Sequence, residues 1–210
     1  MSSNIVRNDG PARTYSVNGK EYPSVTRVIG ATADKRGLEI WRKKVGEEVA
    51  EYITSTARKI GTITHKMIEI KLGNGEFTDS YPLICQAHFE NLSSELEKIN
   101  NIHGLELMLY SEQLELAGTA DCIAEYDGEL AVIDFKTKRS PQRVGYVQDY
   151  MIQCTAYAIM YEELTGNHVS KVVIMTSSED GSKCTFIDDV EVHKPRLMDR
   201  IIQYRKMHHD

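Results

Sequence analysis

Proline and cysteine are scarce in this chain of 210 residues, at five and four, and tryptophan occurs once. So little proline, with only 14 glycines, excludes a collagen-like repeat, and 41% hydrophobic residues exclude bulk disorder. Cys85, Cys122, Cys154 and Cys184 stand about thirty or more residues apart without a C-x-x-C pair, so neither a disulfide framework nor a zinc or iron–sulfur site is expected. Reduced thiols in a cytosol-like compartment are the default expectation. Long apolar runs are missing too. The longest mostly apolar stretch, Tyr150 to Tyr161, is interrupted by Gln153 and Thr155, and Met1 to Gly10 is polar, so neither a membrane span nor a signal peptide is expected. Nor is positive charge in excess. With 31 acidic against 25 basic residues the formal net charge is −6, which argues against a uniformly basic surface that coats nucleic acid. A local basic channel stays open, because cations cluster at Arg42-Lys43-Lys44, at Arg58-Lys59 and between Lys136 and Arg143.

A chain of this length can bury roughly 70% of the surface it exposes when unfolded, enough for a core without staples. Its patterning predicts one domain over residues 1–210, with a mainly helical wall at about 24–104, a catalytic sheet and helix at 105–192, and a C-terminal helix at 193–210. Asn18-Gly19 joins two alternating stretches, Thr14 to Val17 and Lys20 to Tyr22, into a type I′ hairpin that caps the domain. Leu38, Trp41, Val45, Val49, Tyr52 and Ile53 recur at helical spacing and predict one helix from about Gly37 to Lys59, apolar face inward. Gly61 is expected to break that helix before another from Thr62 to Leu72. Pro82 opens a further helix with Ile84, His88, Leu92, Leu96 and Ile99 inward. From Leu105 the period changes to two, predicting strands at Leu105–Gln113, Ala117–Tyr126 and Glu129–Lys136. A helix at Gly145–Thr165, strands at Lys171–Thr176 and Lys183–Val190, and a helix from about Pro195 to His208 follow. The simplest architecture is α/β: a central mixed sheet flanked by helices.

One turn locates a candidate site. If Asp127-Gly128 is a two-residue hairpin turn, Tyr126 faces Glu129, and counting outward sets Asp121 opposite Asp134 with Cβ atoms about 4.5–5.5 Å apart. Two like charges so placed destabilise a sheet unless a cation lies between them. Lys136, two residues beyond Asp134, projects from the same face, whereas Ile133 and Phe135 point the other way with Ala120 and Cys122. Two carboxylates and a lysine suit metal-assisted hydrolysis, with oxygen ligands for Mg²⁺ and an ammonium for developing phosphate charge. The plainer reading, two exposed strand aspartates, stands beside it, although Val132 and Ile123 on their face imply a cover.

Gly118-Thr119-Ala120-Asp121 followed by Ile133-Asp134-Phe135-Lys136-Thr137 resembles the signature of the PD-(D/E)XK nuclease superfamily. The RecB-like branch is the nearer match, since Gly61-Thr62-Ile63-Thr64-His65 precedes this block and Gln153-Cys154-Thr155-Ala156-Tyr157 follows it in the order that branch shows. Tyr22-Pro23-Ser24-Val25-Thr26 and the stretch Trp41 to Ala50 further resemble mitochondrial genome maintenance exonucleases and their phage-encoded relatives.

The resemblance implies a restriction-endonuclease-like core with an N-terminal helical region. It implies that Asp121, Asp134, the main-chain carbonyl of Phe135 and His65 ligate Mg²⁺ or Mn²⁺, that Lys136 positions or activates water, and that Glu112 supports the metal site from the neighbouring strand. Gln153 and Tyr157 are implied to contact the lysine, the scissile phosphate or a base; Glu69, four residues from His65 on one helix face, is expected from that spacing to orient its ring. Arg42, Lys43 and Arg58 are expected to attract the substrate backbone. The activity implied is a metal-dependent exonuclease acting on single-stranded DNA. A structure-specific endonuclease and a catalytically silent DNA-binding subunit remain alternatives. No iron–sulfur cluster is expected, because the cysteine group that some members carry is missing. A monomer in a bacterial or phage-infected cytoplasm is expected, working with replication or recombination proteins that supply any unwinding.

Overall fold

The computed structural model describes residues 4–10, 13–78, 80–141, 145 and 147–208. Arg143 of the third cationic stretch lies outside the described residues, as does part of the expected start of the Gly145–Thr165 helix. Two sheets are built. A small antiparallel sheet runs β1 (Ile5–Asn8), β2 (Thr14–Val17), β3 (Lys20–Pro23), with Asn18 and Gly19 at φ 51° and 84° as the predicted turn requires. The large sheet has the order β4 (Ile99–Ser111), β5 (Leu116–Tyr126), β6 (Glu129–Lys138), β7 (Lys171–Ser178), β8 (Lys183–Asp189), antiparallel except for the parallel pair β6–β7. Helix α5 (Gln148–Thr165) makes the crossover that a parallel pair needs.

Helices cover both faces of the large sheet. On one, α1 (Val25–Thr32), α5 and α6 (Val190–His208) pack on Ile123, Val132, Val172 and Ile174. On the other, α3 (Glu47–Leu72) and α4 (Leu83–Leu96) pack on Cys122, Ala131, Ile133, Phe135 and Val173. Burial from both sides explains the almost unbroken apolar runs of β6 and β7. The expected mixed sheet flanked by helices is thus the architecture found.

Several boundaries differ from expectation. The helix predicted over Gly37 to Lys59 is split at Gly46 into α2 (Arg36–Val45) and α3, because Gly46 takes φ 86°, donates its N–H to Arg42 and accepts from Ala50. Gly61, expected to break a helix, lies inside α3. There an added Cβ would meet only Thr137 Oγ1 of β6, at an ordinary contact distance of 3.5 Å, and the helix runs through the position unbroken. The stripe from Leu38 to Ile53 does not form core. Leu38, Val49 and Tyr52 are 50%, 50% and 72% exposed, and apart from Ala50 the buried residues of α3 begin at Thr64. Ile99 starts β4 instead of ending α4, and α6 begins five residues before Pro195. Strand β1 and helix α1 were not foreseen; Ser24 caps α1, its Oγ accepting from Arg27 N–H at 3.1 Å.

Candidate active site

The β5–β6 register is the one counted from the turn, with Tyr126 opposite Glu129 and Cys122 opposite Ile133. The ladder stops there, and the next pair would be Asp121 and Asp134. Instead the strands part, and Asp121 Oδ2 accepts the main-chain N–H of Phe135 at 3.2 Å. A second irregularity lies alongside. Leu105 and Cys122 pack on the α3–α4 side, but their neighbours two residues on, Leu107 and Ala120, pack on the α5 side. Both strands therefore roll over at the intervening pair, Glu106 and Asp121, and Glu106 takes φ 46° to do so. The expectation that Ala120 shares a face with Cys122 fails for this reason. A non-glycine residue held in the left-handed region inside a strand costs on the order of 1 kcal/mol or more, and such strain gathers at functional sites.

Helix α3 brings His65 to this fork. Its Nε2 lies 2.6 Å from the carbonyl oxygen of Phe135, and its Nδ1 lies 3.4 Å from Asp121 Oδ2. A carbonyl only accepts, so Nε2 carries the proton in that bond, and Nδ1 is left facing the Asp121 carboxylate, where a shared cation would serve both. His65, Glu106 and Asp121 each offer a ligand atom within 4.8 Å of the others, and the Phe135 carbonyl borders them. An imidazole and hard oxygen donors suit Mg²⁺ or Mn²⁺, so the residues fit a divalent cation. Glu106 keeps an exposed side chain, yet the partial loss of solvent at the fork raises its carboxyl above the usual range, and the charge of Asp121 raises it further.

Asp134 and Lys136 form an adjoining pair, with Nζ 2.5 Å from Oδ2. Asp134 is 2% exposed, and beyond that ion contact its Oδ2 has no hydrogen-bond partner of ordinary geometry among the described residues. Burial pushes its carboxyl up to about 6; Lys136 pulls it down and Asp121 pushes it up again. Burial would lower the pKa of Lys136, but Asp134 and Asp121 outweigh it and hold the ammonium above the ordinary lysine value. The ring of Tyr150 lies 5.1 Å from the same Nζ.

Gln153 and Tyr157, one helical turn apart on α5, line the open cleft of about 520 Å³ that also holds His65, Glu106 and Asp121. Gln153 Nε2 donates to the Tyr157 hydroxyl at 3.2 Å, and burial keeps that phenol protonated far above its usual range. Gly118 is required by this packing: an added Cβ would lie 2.5 Å from Tyr157 Cε1. The small sheet closes the cleft's other side through Tyr15, whose hydroxyl meets Thr119 Oγ1 at 3.0 Å, and through a bridge from Ser24 to Ala117.

The fork thus assembles His65, Asp121 and the Phe135 carbonyl, with Asp134 and Lys136 beside it and Gln153 and Tyr157 in the cleft wall. It does not include Glu112. That residue follows β4, six positions or about 20 Å of extended chain beyond Glu106, and its N–H donates to Glu163. The acidic residue on the neighbouring strand is Glu106, which sequence reasoning missed. Glu69 bonds Lys66 at 2.8 Å instead of orienting His65. Arg42 is engaged by Glu47 and, at 3.9 Å, by Glu51; Lys43 is exposed on α2, and Arg58 lines a groove beside the cleft together with Arg7 and Arg13.

Known proteins are similar to this chain over most of its length. The sequence profile of the PD-(D/E)XK nuclease superfamily matches residues 39–205. Mitochondrial genome maintenance exonuclease 1 of Homo sapiens is 30% identical over 174 residues, which is 76% of this chain and 50% of that protein. The Mus musculus protein of that name is 31% identical over 172 residues, 76% of this chain and 51% of its own length. The one from Xenopus tropicalis is 30% identical over 188 residues, 82% and 52%. The chain therefore spans about half the length of these curated relatives. A solved structure from Eubacterium rectale aligns with TM-score 0.42 at 13% identity over 89% of this chain and 70% of its own, too loose a likeness to bear on the argument.

Proposed function

Because the chain belongs to the PD-(D/E)XK nuclease superfamily, we propose that it is a divalent-metal-dependent deoxyribonuclease that degrades single-stranded DNA from an end. The observation that carries this reading is the fork itself, where His65, Glu106, Asp121 and the Phe135 carbonyl converge beside the Asp134–Lys136 pair. The end preference rests on the similarity to relatives named exonucleases, and the single-stranded preference on the family resemblance.

His65, Glu106, Asp121 and the Phe135 carbonyl would hold Mg²⁺ or Mn²⁺, with Asp134 as the further oxygen ligand that the family pattern implies. A divalent cation bound there lowers the pKa of water and neutralises phosphate charge. Lys136, kept protonated by two carboxylates, acts as a donor: it positions the attacking water or a phosphate oxygen and stabilises the negative charge that develops. The Tyr157 hydroxyl accepts from Gln153, so its own proton is free for a phosphate oxygen in the cleft. Tyr15 and the small sheet wall the cleft opposite α5 and limit how a strand enters.

The test is incubation of the protein with Mn²⁺ or Mg²⁺ and matched linear and circular single-stranded DNA of one sequence, with Asp134→Ala as the control. Loss of the linear strand alone is expected. Cutting of both would make the enzyme an endonuclease, and survival of both would overturn the reading.

A further inference from the structure

The active cleft continues into a second groove, and the two share Arg7, Arg13, Ser24 and Thr26 as lining residues. Past these the groove is lined by Arg27, Lys35 and Arg58. Five cations thus converge from β1, the approach to β2, α1, the α1–α2 link and α3. They face one carboxylate among the groove's lining residues, Asp9, which already accepts from Arg7 Nε at 2.9 Å and Arg13 Nε at 3.1 Å. Bonds through Nε leave each guanidinium its terminal donors, the pair that matches phosphate oxygens. In a chain of net charge −6 this local excess is opposite in sign to the whole. Of the α2 cations expected to serve the substrate, Arg42 is paired with both Glu47 and Glu51.

We infer that this groove is a track for the sugar–phosphate backbone of the substrate strand beyond the scissile phosphate, with Arg27, Lys35 and Arg58 as its outer contacts and Arg7 and Arg13 handing the strand to the cleft. The inference rests on the nuclease reading for the identity of the strand, and on charge complementarity and continuity with the cleft for its path. None of the three outer residues lines the catalytic cleft, so their loss weakens binding and leaves the chemical step alone.

Lys35 and Arg58 are exposed, so the Lys35→Gln/Arg58→Gln double variant should keep the fold. Each phosphate contact contributes about 0.7 to the salt slope for single strands, which is about eightfold in affinity between 1 M and 50 mM salt. Fluorescence anisotropy with a labelled single-stranded oligonucleotide in EDTA, and cleavage kinetics with Mn²⁺, are run on the wild type, this double variant and a Lys71→Gln/Lys183→Gln control outside the groove. The expected result is a rise of more than tenfold in Kd and KM at 50 mM salt, a salt slope smaller by about 1.4, an unchanged kcat and a control like the wild type. Equal Kd and slope in wild type and double variant, or an equal loss in the control, would overturn the groove. If the wild type binds the strand but cleaves nothing, the nuclease reading falls while the binding data still decide the groove. If it binds no strand at all, the groove falls as well.

Discussion

Replacing Asp134 by Asn should make the metal-free protein more stable at neutral pH. In the folded state burial lifts this carboxyl from an ordinary 3.8 to about 6, even with Lys136 at 2.5 Å pulling the other way. The native state therefore binds more protons than the unfolded chain between pH 4 and 6. Stability associated with the protonated acid is fully present below about pH 4 and is lost as pH rises through about 6. Two pK units correspond to about 3 kcal/mol, or about 6–12 °C in Tm for a domain of this size. Because the net shift already includes the attraction of Lys136, losing that ion pair is counted within it. Asn stays neutral at every pH, so the variant should exceed the wild type by up to about 3 kcal/mol at pH 7.5 and lose most of that margin at pH 4.5. Urea unfolding followed by far-ultraviolet circular dichroism, in EDTA at both pH values, measures it. A variant less stable than the wild type at pH 7.5, or a margin that does not change with pH, would refute the reasoning. The same substitution should abolish cleavage.

Glu106→Gln and His65→Ala should each weaken the stabilisation that Mn²⁺ confers, by about tenfold or more in apparent affinity if each removes a ligand; an unchanged thermal shift across a Mn²⁺ titration would remove that residue from the site. For the wild type, Mn²⁺ affinity should fall as pH drops below about 6, where Asp134 takes up a proton that the cation must displace, and the raised Glu106 carboxyl acts in the same direction; calorimetric titration at pH 5 and 7.5 would show it. Gly118→Ala should cost about 1–3 kcal/mol through overpacking against Tyr157, and Tyr157→Leu should recover part of that loss in a double-mutant cycle. Additive losses would mean that the two positions do not meet.

The half of the site carried by β5 and β6 was readable because Asp127-Gly128 fixes a turn with φ 50° and 85°, and one turn fixes every cross-strand pair. The same counting applied to β4 and β5 would have set Glu106 opposite Asp121. The connection between those strands, Glu112 to Glu115, has no such dipeptide, so the register stays hidden in the sequence and Glu112 competes with Glu106 for the place. The two glycines of the long helical stretch behave opposite to expectation for a related reason. Sequence marks both as breakers, and only tertiary context puts Gly46 at φ 86° while seating Gly61 against Thr137. Helix α1 is eight residues long, too short for a periodicity to stand out. The cationic groove was illegible because Arg7, Arg27 and Arg58 lie far apart in the chain and meet only when the small sheet docks on Thr119 and Ala117.

The parallel pairing of β6 with β7 has a consequence for the order in which the molecule can be made. Asp134 and Lys136 lie in register with Ile174 and Thr176, and 32 residues, including all of α5, separate the two strands. A chain emerging from the ribosome carries Asp121, Asp134 and Lys136 long before β7 exists to pair with β6. Until Lys171–Ser178 arrive, β6 has one unpaired, strongly apolar edge open to other strands. Nascent chains halted in that interval are where aggregation, and recognition by chaperones, should concentrate.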